Sequence, residues 1–372
     1  MTAPIHTTQN WQPEQYDMVI DVRSPSEFAD DHIEGSVNLP ALSDEERAVV
    51  GTLYKQTSAF AARRTGASIM SRNIAHHLET FLQDKPAGFR PLIYCWRGGQ
   101  RSRAFALVLS EIGWTTHLLK GGYKAYRQGV LDKIKSLPER LQLIIIAGRT
   151  GSGKTDLLQT LQQNQQQILD LEDLAAHRGS LLGQIPGRLQ PRQRLFESRL
   201  VNALMQFDPS LPVFIESESS RIGNLQIPAP LWQLMTNAPL VKLDVPVSAR
   251  AAYLVSVYER LTLDPSDLLV LIDGMVRRHG YDITSEWKNL LDQKDWHSLA
   301  ESLLTAHYDP AYDQSVSRHD REELLYVLQK DLSEEQREKT VHKIMCRVGK
   351  SSAAREVTPQ RKRGLNFISD DV

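Results

Sequence analysis

Short apolar runs alternate with amphipathic stretches along most of this chain. "MVIDV" (18–22) predicts a buried strand ending near Asp21. "SPSEF" follows, with Ser24 at an N-cap, Pro25 at the first helical position and Glu27 three residues past the cap, a helix start. "HIEGSVNLP" reads as a turn, a short extended piece and a proline stop. Ser43 and Glu46 stand in capping-box register for a second helix, and 57–83 reads as largely helical. Next come a strand at 91–94, a helix at 101–112, and a strand near 116–119 closed by Gly121 and Gly122. Beyond a joint at 136–142 around Pro138, "LQLIIIAG" opens a second series. Its strands are expected at 141–148, 167–171, 212–216 and 239–244, with helices between them and a polar, helical region from about 265. Alternating strands and helices imply parallel sheets, so the fold class is α/β. The expected organisation is a first α/β domain over 1–135, a linker over 136–142, a second α/β domain with a helical C-terminal part over 143–345, and a basic tail over 346–372.

Composition narrows the class. The chain has 372 residues, 41% hydrophobic and 24% charged, with a formal net charge of −1, as in ordinary globular proteins. Two cysteines far apart make no disulfide framework and fit a reducing compartment. The start, "MTAPIHTTQNW", has no basic and apolar leader pattern. No apolar run approaches the roughly 20 residues that span a bilayer. A cytoplasmic protein without membrane association is expected.

Cys95 lies between a strand and a helix, in "YCWRGGQRS". Gly98 and Gly99 permit a loop whose N–H groups turn inward, and the next helix adds its positive end. Arg97, Arg101 and Arg103 add charge. These effects favour a thiolate, so Cys95 is a candidate nucleophile, with Arg97 and Arg101 as its partners. A buried, inert cysteine is the alternative. The spacing Cys95-x-x-Gly98-x-x-Arg101 resembles the loop of cysteine-dependent phosphatases and also that of rhodanese-like sulfurtransferases. The flanks favour the second. "DVRSPSEFADDHIEGSVNLP" (21–40) and "LLKGGYKAYR" (118–127) resemble the two rhodanese signatures, and no separate acid loop for a phosphatase is evident. Asp21 and Arg23 are expected to fix loops, and His32 to be a structural hydrogen-bonder.

"GRTGSGKT" (148–155) matches G-x-x-x-x-G-K-[ST] after a strand and before a helix. Gly148, Gly151 and Gly153 shape a phosphate loop, Lys154 reaches terminal phosphate oxygens, and Thr155 is placed for Mg²⁺. Glu216 and Glu218, or Asp170, Glu172 and Asp173, offer the partner carboxylate, with glutamate unusual there. No residue set is assigned as a standing metal site. Arg250 and Arg260 are candidate phosphate contacts or solvated helix residues. Arg178, Arg188, Arg192 and Arg194 form basic loop segments that suit a ligand phosphate, RNA, or only solvent.

Taken in order, "LSDEERAVVGTLYKQ", "YCWRGGQRS", "GRTGSGKT", "DLEDLAAHRGS", "FIESESSRIGN" and "HYDPAY" resemble the bacterial tRNA 2-selenouridine synthase family, a rhodanese-like domain fused to a P-loop domain. The resemblance runs over about residues 10–345. It implies replacement of sulfur by selenium in wobble-position 2-thiouridine of tRNA. Selenophosphate would be the selenium donor, and S-geranylation with geranyl diphosphate would come first. It implies that Cys95 handles selenium and that the loop over Gly148–Thr155 binds the prenyl diphosphate, although the motif alone fits ATP equally. A selenophosphate-producing enzyme is an implied partner. Trp96 is left between stacking on a flipped uracil, meeting the prenyl chain, and packing. Cys346 stands either as a resolving thiol or as an incidental one. Two other classes remain open: a rhodanese-fold cysteine phosphatase fused to a P-loop kinase, and a non-catalytic tRNA-binding protein.

Overall fold

The computed structural model describes residues 2–9, 12–179, 183, 185, 187–217, 219–258, 263–316 and 321–356. Glu218, Arg260 and the basic residues Arg361, Lys362 and Arg363 lie outside the described residues.

The chain divides into two units. One holds residues 1–141, 171–211 and 218–234, and the other holds 142–170, 212–217 and 235–372. In the first unit the N-terminal elements run β1 (Ile5–Thr8), β2 (Met18–Asp21), α1 (Pro25–Asp30), β3 (Val37–Asn38), α2 (Asp44–Gln56), α3 (Ala59–Glu79), β4 (Pro91–Tyr94), α4 (Gln100–Ile112), β5 (Thr116–Leu119) and α5 (Gly122–Ser136). The five strands form one parallel sheet in the order β1-β5-β4-β2-β3. The central strand β4 is buried along its whole length, as a strand covered on both faces must be. Asp21 pairs in register with Tyr94, so the loops after β2 and β4 leave the same edge of the sheet.

The helix starts follow the local chemistry. Ser43 Oγ accepts the Glu46 N–H, and Glu46 in turn accepts the Ser43 N–H. At α1 the variation is that Ser24 donates both its N–H and its hydroxyl to Glu27.

Next come β6 (Gln142–Gly148), α6 (Lys154–Gln163) and β7 (Gln167–Leu169) of the second unit. The chain then re-enters the first unit with α7 (Leu171–Ala175) and α8 (Gln193–Met205). It leaves for β8 (Pro212–Glu216), and returns for a hairpin of β9 (Arg221–Ile222) and β10 (Leu225–Gln226). After α9 (Ala229–Asn237) it completes the second unit with β11 (Leu240–Asp244), α10 (Val247–Val257), the helix Ser266–Asp292 and β12 (Glu323–Leu328). The second sheet is also parallel and five-stranded, ordered β12-β11-β6-β8-β7.

Three elements differ from the sequence reading. β1 is an exposed edge strand whose polar pattern, Ile-His-Thr-Thr, gives no apolar run. β12 falls inside the region expected to be helical, and its pairing with β11 overrides that expectation. The strand expected at 167–171 stops at Leu169, because Leu171 begins α7. No helix of the described residues is long and apolar enough to cross a membrane.

Arg23 is the largest charged side chain in the first core, and its guanidinium bonds both Asp21 oxygens and donates 2.6 Å to the Asp31 carbonyl. It lies 3.9 Å over the Tyr123 ring. Asn38 donates to the Asp21 and Arg23 carbonyls, so the loop after β2 is tied to β3. Removing one partner leaves a buried charge unpaired. Arg23→Met is therefore expected to cost about 3–5 kcal/mol in urea unfolding, and Asp21→Asn/Arg23→Met less than the single change. A double variant as unstable as the single one would show that the pair is not what the loop needs.

Candidate active sites

The first site is built on the middle strand of its sheet. Cys95 follows β4 directly and is 3% exposed. Its sulfur accepts the Gly99 N–H at 3.2 Å and lies 3.2 Å from the Ser102 hydroxyl, which also donates to the Gly99 carbonyl. Gly99 is the N-cap of α4 and Ser102 lies in its first turn, so both partners of the sulfur belong to the helix start, where negative charge is favoured. The loop owes its shape to a second turn packed behind it. Tyr123 N–H donates to the Cys95 carbonyl at 2.8 Å, and Lys124 N–H to the Trp96 carbonyl at 3.0 Å. This approach requires Gly122. Its φ is +58°, and a Cβ there would sit 2.2 Å from the Cys95 oxygen and 2.6 Å from the Gly98 nitrogen.

The arginines are placed differently from the donors. Arg97 and Arg103 are exposed, and none of Arg97, Arg101 and Arg103 hydrogen-bonds the sulfur. Arg101 instead donates 2.8 Å to Glu27, which also faces Arg47 at 3.4 Å. Burial pushes the Glu27 carboxyl up, but Arg101, Ser24 and Arg47 outweigh it and hold the group below the usual range. Ser102 was not singled out in the sequence; its place in the helix frame, seven residues after Cys95, was the available signal. His32 Nδ1 lies 2.8 Å from the Phe28 carbonyl, and its ring stacks on Phe28.

The second site sits at the end of β6, the middle strand of the other sheet. The loop Gly148–Thr155 passes into α6 through Gly151 and Gly153, both at positive φ. Their space is filled: a Cβ on Gly151 would meet Leu254 and the Arg250 carbonyl at 3.0–3.1 Å, and one on Gly153 would meet Leu332 at 3.0 Å. A Cβ on Gly148 would meet Ser152 Oγ at 2.4 Å. Lys154 Nζ bonds the Gly148 carbonyl at 3.2 Å, spanning the loop it would leave on meeting a phosphate.

Glu216 ends β8 in register with Ile146 of β6, and is 3% exposed. Burial raises its pKa, against the charge of Lys154 and a hydrogen bond from Thr155. Its Oε1 is buried without a hydrogen-bond partner, and the charges of Asp170 and Asp156 act on it. Among the described residues no group of three metal-ligating side chains is assembled. The Thr155 hydroxyl and the unpartnered Glu216 oxygen nevertheless fit Mg²⁺ of the kind that takes few protein ligands and shares phosphate oxygens. Those two residues would hold it.

Arg250 is buried, not solvated. It forks onto Asp309 at 2.7 and 2.8 Å and donates to the Thr150 and Val245 carbonyls. Asp309 and Tyr312 belong to "HYDPAY"; the Tyr312 hydroxyl meets the Gly148 backbone, and Arg149 pairs with Asp313 at 2.8 Å. The motif thus braces the phosphate loop from a helix about 160 residues away, a role its sequence gave no means to read. Arg188 pairs with Asp173, while Arg192 and Arg194 both reach Asp30. Cys346 is exposed, with its sulfur 3.6 Å from His342 Nε2.

A family described as the tRNA 2-selenouridine synthase AAA domain matches residues 141–265, and the rhodanese-like domain family matches residues 7–129. Among curated proteins, the tRNA 2-selenouridine synthase of Nitrosomonas europaea is 38% identical over 238 residues, covering 62% of this chain and 61% of that protein. The chain thus spans about three fifths of the length of that relative. The synthase of Marinobacter nauticus is 34% identical over 339 residues, covering 82% of this chain and 90% of that protein, and that of Sulfurovum sp. is 32% identical, covering 81% and 89%.

The raised pKa of Glu216 has a sign that can be checked. The native state keeps its proton at pH values where the unfolded chain has lost it. Stability from this group is therefore present below the ordinary value of 4.5 and is lost as pH rises through the raised one. Glu216→Gln is expected to gain on the parent in urea titrations as pH rises from 4.5 through the raised value, and the gain to level off above it. A margin that shrinks with pH would contradict the assignment.

Proposed function

Because the chain belongs to the tRNA 2-selenouridine synthase family, we propose that it makes 2-selenouridine in tRNA, exchanging the sulfur of a wobble-position 2-thiouridine for selenium delivered as selenophosphate. The observation that carries this reading is that one chain holds both a cysteine sulfur held at a helix start by the Gly99 N–H and the Ser102 hydroxyl and a complete phosphate loop.

The two sites suit two halves of one exchange. In the first half, the thiocarbonyl sulfur attacks the terminal carbon of geranyl diphosphate. The C–O bond breaks and diphosphate leaves with the electron pair. Lys154, released from the Gly148 carbonyl, and the loop N–H groups neutralise that leaving group in this reading. Mg²⁺, held by Thr155 and Glu216, would add charge neutralisation there. S-alkylation makes the sulfur a better leaving group from C2 of the base. In the second half, the selenium of selenophosphate attacks C2, geranyl thiolate departs with its electron pair, and water takes up the phosphoryl group as the P–Se bond breaks. Cys95 handles the selenium, and the Gly99 N–H and Ser102 hydroxyl stabilise negative charge on its sulfur.

The nucleoside profile of bulk tRNA tests both halves. Cys95→Ala is expected to abolish selenouridine and let S-geranyl-2-thiouridine accumulate; normal selenouridine would sink the role of Cys95. Lys154→Ala is expected to cut geranylation by about 100-fold or more, the scale of losing one transition-state charge contact. Continued geranylation would sink the diphosphate assignment.

A further inference from the structure

Beside the Cys95 loop lies an open cavity of about 400 Å³. Trp96 lines it, together with Arg47, Arg101, Arg192 and Arg194. Among the described residues that line it, only Glu27 and Asp30 oppose the four guanidiniums. Each carboxylate is shared: Glu27 by Arg101 at 2.8 Å and Arg47 at 3.4 Å, Asp30 by Arg194 at 2.8 Å and Arg192 at 3.4 Å. The lining therefore carries an excess of two positive charges.

Folding does not account for this excess. The side chains of Arg192 and Arg194 are 64% and 52% exposed, and exposed ion pairs contribute little. They also stand at the start of α8, where cations are disfavoured and no acidic residue occupies the first turn. The volume exceeds what a single inorganic anion needs and falls in the range of pockets for nucleotide-sized ligands. Trp96 is half-buried and packs against Tyr123, with ring centroids 5.2 Å apart, so its indole is held in place as a surface. A fixed aromatic beside unneutralised arginines is how proteins hold unpaired nucleotides.

We propose that this cavity receives one unpaired nucleotide of the RNA substrate, with its base stacked on Trp96 and its flanking phosphates held by Arg192 and Arg194. The proposal rests on the tRNA reading above and adds a binding site to it. An incoming phosphate takes over guanidinium contacts that two arginines now share on one carboxylate, so little is lost when it enters. The cavity is also composite. Trp96 lies in the stretch matching the rhodanese-like family, and the two arginines lie in the stretch matching the AAA domain.

The test is a binding measurement that needs no turnover. The probe is a fluorescent anticodon stem–loop RNA with 2-thiouridine at the wobble position, titrated across a salt series into full-length Cys95→Ala protein. Adding Arg192→Ala/Arg194→Ala is expected to weaken binding and to flatten the plot of log affinity against log salt by about 1.4, at roughly 0.7 per phosphate contact. Arg192→Lys/Arg194→Lys is expected to retain most of the slope. Trp96→Ala is expected to cost roughly 5- to 100-fold in affinity, and Trp96→Phe much less. An unchanged slope in the alanine pair, or equal losses for lysine and alanine, overturns the site. So does an arginine effect seen only on competition by inorganic phosphate and not on RNA. Selenouridine formation with RNA binding indifferent to these residues defeats the cavity alone. Loss of RNA binding as expected, when the parent chain with Cys95 intact makes no selenouridine, defeats the reaction alone.

Discussion

The Cys95 loop keeps its form because another piece of backbone is pressed against it. Two hydrogen bonds from the start of α5 hold the Cys95 and Trp96 carbonyls, and only a residue without a side chain at position 122 lets them form. With those carbonyls engaged behind the loop, the Gly99 N–H is free to face the sulfur, and α4 begins where its positive end meets Cys95. The buried Arg23 works in the same layer, joining the loop after β2 to the Asp31 carbonyl and to the Tyr123 ring. The Cys95 thiol thus sits in a frame of backbone and buried charge.

The second site obeys the same logic with different parts. The phosphate loop is walled by side chains from distant segments, Leu254 and Leu332, and is tied through Arg250 to Asp309. Two buried side-chain oxygens around the loop have no hydrogen-bond partner, Ser152 Oγ and Glu216 Oε1. Glu216 has an oxygen without a hydrogen-bond partner and a pKa raised by burial, beside a lysine and a threonine whose usual partners are phosphate and metal.

Much of this was legible from local pattern. The α/β class, the capping starts at Ser24 and Ser43, both glycine-rich loops and the carboxylate at Glu216 follow from runs of a few residues, and the structure places them at the ends of parallel strands. The rest depends on contacts between distant parts of the chain. β1 has no apolar alternation, because its stability comes from pairing with β5. β12 lies in a helical neighbourhood and is a strand only beside β11. The direction of Arg101 toward Glu27, the burial of Arg250 and the gathering of Arg192 and Arg194 beside Trp96 depend on residues far away in sequence. The charge pattern alone allowed solvated arginines, and the topology brings two of them to the cavity.

That topology has a consequence for how the protein can be taken apart. Residues 171–211 pack with the first unit although β6 and β7 precede them and β8 follows them in the second sheet. A gene cut at any single codon would strand elements of one unit on the other's fragment. A fragment matching the second family stretch would lack Val327, Val341 and Ile344 of its core. Neither unit is therefore one continuous stretch of the chain, and no single cut yields both whole.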